Sequence, residues 1–157
     1  MRGQFRFVAL PYEPFARLFD ADEAEIQALG ARRMIVEEKP GTPCRVSLVD
    51  AEIGERVVLV PYAHHDVSSP YRASGPIFVR RGARRALPSP GEVPLMFRHR
   101  LLSVRAYDRC GMMVAAEVVV GSELEPVLDR MLAEPSVDYL HLHNAKPGCF
   151  NCRVERA

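Results

Sequence analysis

A chain of 157 residues is the length of one domain, and 48% hydrophobic content can bury a core without disulfide or metal staples. With 21 basic and 20 acidic side chains the net charge is +1, which argues against a general nucleic-acid binder. No apolar run is long enough to cross a bilayer, and MRGQFRFVALP carries too short an apolar stretch for a secretion signal. The expectation is a cytoplasmic protein whose four cysteines are reduced thiols.

QFRFVAL alternates and ends at Pro11, predicting a first strand. EPFARLFDADEAEIQALG reads as helical, with apolar stripes at Phe15, Leu18 and Phe19 and at Ile26 and Leu29. Asp20 and Glu23 resemble a capping box, so a break and restart is expected there, with Gly30 as the stop. From Arg32 the period changes to two. RRMIVEE is a strand halted by KPGTP. CRVSLVDA and ERVVLVPY flank EIG as a hairpin. Val57 to Val60 are apolar on both faces, which predicts a central strand.

GPIFVRR is a shorter strand, followed by a Pro-, Gly- and Arg-rich surface loop over 82–95. RLLSVRAYD and MMVAAEVVV flank RCG as a second hairpin. GSELEPVLDRMLAEP is the clearest helix. Ser122 and Glu125 form a capping box there, and Leu124, Val127, Leu128, Met131 and Leu132 share one face. VDYLHLHNA and CFNCRVER make a closing hairpin. Few strands are separated by crossover helices. The fold expected over 1–157 is therefore a single α+β domain, a mostly antiparallel sheet with two helical regions packed on it.

Four stretches taken together, PGTPCRVSL, PYRASGPIFVR, RLLSVRAYD and HNAKPGCFNCRVER, resemble a bacterial domain family of unknown function, number 1203. The likeness runs from Pro40 onward. It implies a small soluble bacterial protein and brings no catalytic residue with it.

The closing hairpin holds the reactive side chains. Residues two apart on a strand share a face, so Tyr139, His141 and His143 point one way and Leu140 and Leu142 the other. Matching apolar face to apolar face places Phe150, Cys152 and Val154 with the leucines. Cys149, Asn151 and Arg153 then lie beside the histidines. On a continuing strand Cys149 and Cys152 face opposite sides and cannot share a metal. The His-x-His pair alone supplies two ligands where zinc wants more, and no metal ligand set is assigned. No helix follows Cys149 to support thioredoxin-like chemistry.

Cys149 is the candidate nucleophile, with His143 or His141 as its base and Asn144 or Asn151 to orient the histidine. The strand RLLSVRAYD sets Ser103, Arg105 and Tyr107 against Leu102, Val104 and Ala106. CRVSL sets Arg45 and Ser47 against Cys44, Val46 and Leu48. SSPYRASGPIF offers Arg72 and Gly75 as an anion-binding turn. AHHD places His64, His65 and Asp66 at a strand end, where they can join the same face.

The leading expectation is a pocket for a small acidic or phosphorylated ligand. Arg45, Arg72 and Arg105 recognise charge in this reading, Gly75, Tyr107, Tyr139, Asn151 and Arg153 line the pocket, and His141, His143, Asn144 and Cys149 supply reactivity. A Cys/His enzyme of acyl- or thiol-transfer type, a His-x-His metal module and a structural domain are the alternatives. No cofactor, membrane or nucleic-acid partner is read from the sequence.

Overall fold

A computed structural model describes residues 4–157. Among them are strands β1 (Phe5–Val8), β2 (Arg32–Ile35), β3 (Arg56–His65), β4 (Ala73–Arg80), β5 (Leu101–Tyr107), β6 (Met113–Val120), β7 (Tyr139–Asn144) and β8 (Phe150–Arg156). The helices are α1 (Glu13–Ala16), α2 (Glu23–Ala28), α3 (Leu95–Arg98) and α4 (Leu124–Ala133). The strands form two sheets, ordered β1-β8-β7-β5-β6 and β2-β3-β4, and all their pairings are antiparallel. The class is α+β, and β3 is a central strand as its two-sided apolarity required.

The first helical region breaks where expected but is capped two residues later. Asp22 takes the N-cap, its side chain accepting from the Glu25 N–H at 2.8 Å, while Asp20 closes the preceding 3-10 turn. The register DxxE therefore starts at Asp22, because the chain needs the extra turn over Arg17–Phe19 to bury Leu18. α2 stops at Gly30 (φ +68°). The Gly30 N–H donates to the Gln27 carbonyl and the Ala31 N–H to the Ile26 carbonyl, a Schellman motif.

α4 buries all five residues of its predicted stripe against the large sheet, each contributing about 1.5–3 kcal/mol. The expected Ser122 cap is not made. Residues Gly121–Glu123 form a 3-10 turn instead, and Glu123 leads into the helix without a side-chain cap bond. Gly121 lies against the Phe97 carbonyl, where a Cβ would come within 1.6 Å of the oxygen. α3, at the end of the 82–95 loop, buries Met96 and Phe97 in the same core and was not expected.

The hairpin around EIG is not formed. CRVSLV folds back on itself: the Cys44 N–H donates to the Val49 carbonyl and the Leu48 N–H to the Cys44 carbonyl, with Leu48 at φ 53°. The alternation assigned to it fails, and Arg45 and Val46 are both buried. β3 pairs with β2 instead, clamped by the Val36 N–H on the Glu55 carbonyl.

The large sheet is two-sided. Phe5, Phe7, Leu102, Val104, Ala106, Leu140, Leu142, Cys152 and Val154 share the core under α3 and α4. A second core joins α1 and α2 to the small sheet through Phe15, Ile26, Val58, Val60 and Ile77, and it reaches Phe150. The other face of the large sheet meets the end of β3.

Candidate functional site

The register of the closing hairpin decides what stands next to what. Val154 lies opposite Leu140, Arg153 opposite His141 and Cys152 opposite Leu142, as matched apolar faces require. The register then shifts, and Phe150 lies opposite His143. Asn151 is thereby the extra residue of a β-bulge. Beyond it the faces exchange. Phe150, expected among the leucines, packs on the imidazoles. Cys149, expected among the imidazoles, lies beside Asn144, whose N–H donates to the Cys149 carbonyl. Of the expected row Cys149, Asn151 and Arg153, only Arg153 stays opposite a histidine.

β5 carries the other half of that face. Ser103, Arg105 and Tyr107 lie opposite His143, His141 and Tyr139 respectively. The face is roofed. β3 brings His64 and His65 down on it, with His64 stacked on Phe150 (centroids 5.3 Å apart) and 5.1 Å from His143. His65 is 5.1 Å from His141 and 4.1 Å from Tyr107. His141 and His143 are left 2% and 1% exposed.

The hydrogen bonds of these rings divide them. His65 is fully used: its Nδ1–H donates to the Tyr71 carbonyl at 2.8 Å and Nε2 accepts from the Tyr139 hydroxyl at 2.6 Å. His143 donates Nδ1–H to the Gly148 carbonyl at 2.9 Å, which leaves the lone pair on Nε2. That Nε2, together with His141 Nδ1 and His64 Nδ1, is buried without a partner. Burial pushes His141 down to about 2, helped by the neighbouring His65, His143 and His64. Burial likewise lowers His64 to about 4, with His65 and Arg105 adding to it. In His143 burial outweighs the bond to Gly148, and the ring falls to about 4. Burial raises the Tyr107 and Tyr139 phenols. These three histidines are neutral at pH 7.

Cys149 belongs to a different environment. Arg45 is 1% exposed, and its guanidinium donates from Nε to the Phe150 carbonyl at 2.9 Å and from Nη1 to the Pro43 carbonyl at 2.6 Å. Nη2 donates to Cys149 Sγ at 3.4 Å. Asn144 Nδ2 donates to the same sulfur at 3.2 Å, while Asn151 Nδ2 donates to Asn144 Oδ1 at 2.9 Å. Among the described residues no carboxylate pairs with Arg45. Burial lowers its guanidinium, and Cys149 opposes that shift. No hydrogen bond joins Cys149 to His141 or His143, so the expected Cys–His pair is not made. Cys149 is half-buried, whereas Cys152 is sealed in the core, donates to the Val8 carbonyl and is pushed up to about 12 by burial.

The three expected clamp arginines do not converge. Arg45 is spent inward, and Arg72 is exposed and paired with Asp66 at 3.3 Å. Arg105 is half-buried and donates to Ser103 Oγ. Gly75 is an ordinary β4 residue opposite Tyr62, with open space where a Cβ would stand and no positive φ, so no anion-binding turn forms. Arg153 covers the Tyr139 ring at 4.1 Å and pairs with Glu155.

One cluster lies outside every sequence motif. Asp50 is 5% exposed, held by both terminal nitrogens of Arg100, and His99 Nε2 approaches its Oδ2 at 3.2 Å. Asp50 and His99 border a mostly apolar cavity of about 600 Å³ under the 82–95 loop. Asp50 and Arg100 are far apart in the chain, and no spacing signals their meeting.

A family model described as "Protein of unknown function (DUF1203)" matches residues 41–156. No curated protein and no solved structure matches the chain. Among the described residues no helix is long and apolar enough to cross a membrane.

Proposed function

The chain belongs to the DUF1203 family, whose description names no activity, and from its own residues we propose a thiol-dependent catalyst of the acyl- or thiol-transfer class with Cys149 as nucleophile. The observation that carries this is the buried Arg45, whose only side-chain partner among the described residues is the Cys149 sulfur. A guanidinium taken out of water needs acceptors, and Arg45 spends its donors on two backbone carbonyls and on the Cys149 sulfur. Asn144 donates to the same atom and, among the described residues, nothing accepts from it, so charge developing on sulfur is met from two directions, before attack and again as it leaves. The substrate is a small electrophile reaching the half-buried thiol. A bacterial cytoplasm, which keeps thiols reduced, suits this chemistry.

Alkylation by iodoacetamide, followed residue by residue with peptide mass spectrometry, tests it. Cys149 is expected to react about tenfold faster than the exposed Cys110 at pH 7, with Cys152 unlabelled until the protein unfolds. Asn144→Asp keeps the shape but turns a donor into a negatively charged acceptor. It should slow Cys149 by about tenfold, the equivalent of roughly 1.4 kcal/mol. A Cys149 that reacts no faster than Cys110, or that ignores Asn144→Asp, removes the nucleophile.

A second reading, binding of a small acidic ligand, is supported by Arg105. It is half-buried beside His141 with no carboxylate partner among the described residues. A thermal-shift series with phosphorylated and carboxylated metabolites checks it, and no stabilisation by any of them counts against it.

A further inference from the structure

We propose that the cavity under the 82–95 loop binds an uncharged apolar molecule carrying one hydroxyl, an aliphatic alcohol or a phenol, with His99 Nδ1 accepting from that hydroxyl. Its volume of about 600 Å³ lies within the roughly 300–1,000 Å³ of small-molecule sites. Leu48 and Val49 supply one part of the wall, and Leu87, Leu95 and Met96 another. Leu48 and Met96 are buried, but Leu87 is 86% exposed and Leu95 80%. A single exposed leucine is ordinary. Two on one apolar hollow, with the exposed Val49, make a surface that an apolar guest removes from water. The loop is pinned at Ala86, whose N–H donates to the Val46 carbonyl, and at Gly91, whose N–H donates to the Phe5 carbonyl, so the cavity is preformed. Neither Cys149 nor Arg105 lines it, and the site stands apart from both readings above.

The polar groups decide the class of guest. Each carboxylate or ammonium that lines the cavity already has a partner: Asp50 is held by Arg100, Lys39 pairs with Glu52, and Glu92 accepts from the Ser89 N–H. A charged guest would set a bare charge against apolar walls with no free counterion, so an uncharged one is selected. His99 differs, because one of its ring nitrogens is unused, and counting hydrogens fixes which. Arg100 Nη1 carries two, and both have oxygen acceptors, Asp50 Oδ2 and the Met96 carbonyl. His99 Nε2, 3.2 Å from the same Oδ2 and 3.0 Å from Nη1, therefore keeps its hydrogen and donates it to the carboxylate. The lone pair is left on Nδ1, which has no partner among the described residues. An acceptor on an apolar hollow calls for a guest with a donor, and a hydroxyl supplies one without adding charge.

The isotope-labelled full chain is titrated with 1-octanol and followed by two-dimensional NMR at about pH 8, where an ordinary imidazole is uncharged. Saturable shifts centred on residues 47–50 and 86–99 are expected. From hexanol to octanol each added CH₂ should tighten binding by about fourfold. Octyl methyl ether keeps the oxygen but has no donor, and it should bind about fivefold more weakly than octanol. His99→Phe should erase that preference. Val49→Asp, at an exposed position, should weaken both compounds by about tenfold or more, with the unshifted remainder of each spectrum reporting the fold. Absence of a saturable shift up to the solubility of octanol overturns the site. So does an ether that binds as well as the alcohol, a preference that survives His99→Phe, or affinity untouched by Val49→Asp. Tighter binding of octanoate or octylamine than of octanol would overturn the choice of an uncharged guest.

Discussion

Acid should unfold this protein earlier than its carboxylates would. His141 and His143 have folded values of about 2 and about 4, against roughly 6.5 in an unfolded chain. A base whose folded value is depressed binds fewer protons folded than unfolded. Its contribution is fully present above about pH 6.5 and is lost as the pH falls toward the folded value. Between pH 7 and pH 5 each of these two rings removes about 2 kcal/mol. His64 titrates in the same direction, but it is only half-buried, and solvent screening cuts its share to about 1 kcal/mol. The loss is therefore about 5 kcal/mol, comparable to the whole stability of a weak domain. Glu55 and Glu125, which Arg80 and Arg98 hold below the usual carboxylate range, stay ionised over this window and do not contribute. Urea unfolding of chelator-treated protein at pH 7, 6 and 5 measures the loss. With a slope near 2 kcal/mol/M the midpoint should fall by roughly 2.5 M. His141→Phe should flatten the dependence by about 2 kcal/mol. A midpoint that holds from pH 7 to pH 5, or a dependence unchanged in His141→Phe, would show that the rings are not buried neutral together.

Two stability predictions follow from other contacts. In Gly121→Ala the new methyl meets the Phe97 carbonyl oxygen at 1.6 Å, a backbone atom that cannot yield cheaply. A loss of about 3 kcal/mol, or roughly 10 °C in Tm, is expected by calorimetry. Asp50→Asn removes the carboxylate that neutralises Arg100 and should cost about 3–5 kcal/mol in urea unfolding. Adding Arg100→Met should recover part of that, and a strictly additive double variant would refute the pairing.

Element by element, periodicity was a reliable guide wherever a strand or helix kept one face in a core. The α4 stripe and the β5 alternation rest on that, and both are seen, while apolarity on both faces marked β3 as the central strand it is. It failed in CRVSLV, whose alternating letters are those of a strand. Six residues close by local hydrogen bonds there, and Arg45 turns inward to its own partners. A period of two cannot distinguish a strand from a loop that buries successive side chains, as Cys44, Arg45 and Val46 are buried here. The meeting of β3 with β7 was half legible. His64 and His65 were candidates for the same face, but which sheet they would cover depended on tertiary packing.

The bulge at Asn151 explains why two chemistries stand side by side without touching. Unbulged pairing would set Asn151 opposite His143, keep Cys149 on the histidine face and send Phe150 into the leucine core. One extra residue changes all three. Phe150 becomes the apolar wall on which His64 stacks, and this wall keeps three imidazoles dry and uncharged. Cys149 is turned toward Asn144 and the interior guanidinium, both of which donate to its sulfur. The two environments are opposite in kind, one excluding positive charge from rings and the other supplying it to a thiol. Asn151 itself holds them apart, its amide donating to Asn144 while its carbonyl oxygen is left unpartnered. Asn, unlike Gly or Pro, gives no backbone signal of a bulge. The register that places both sites was therefore visible only in three dimensions.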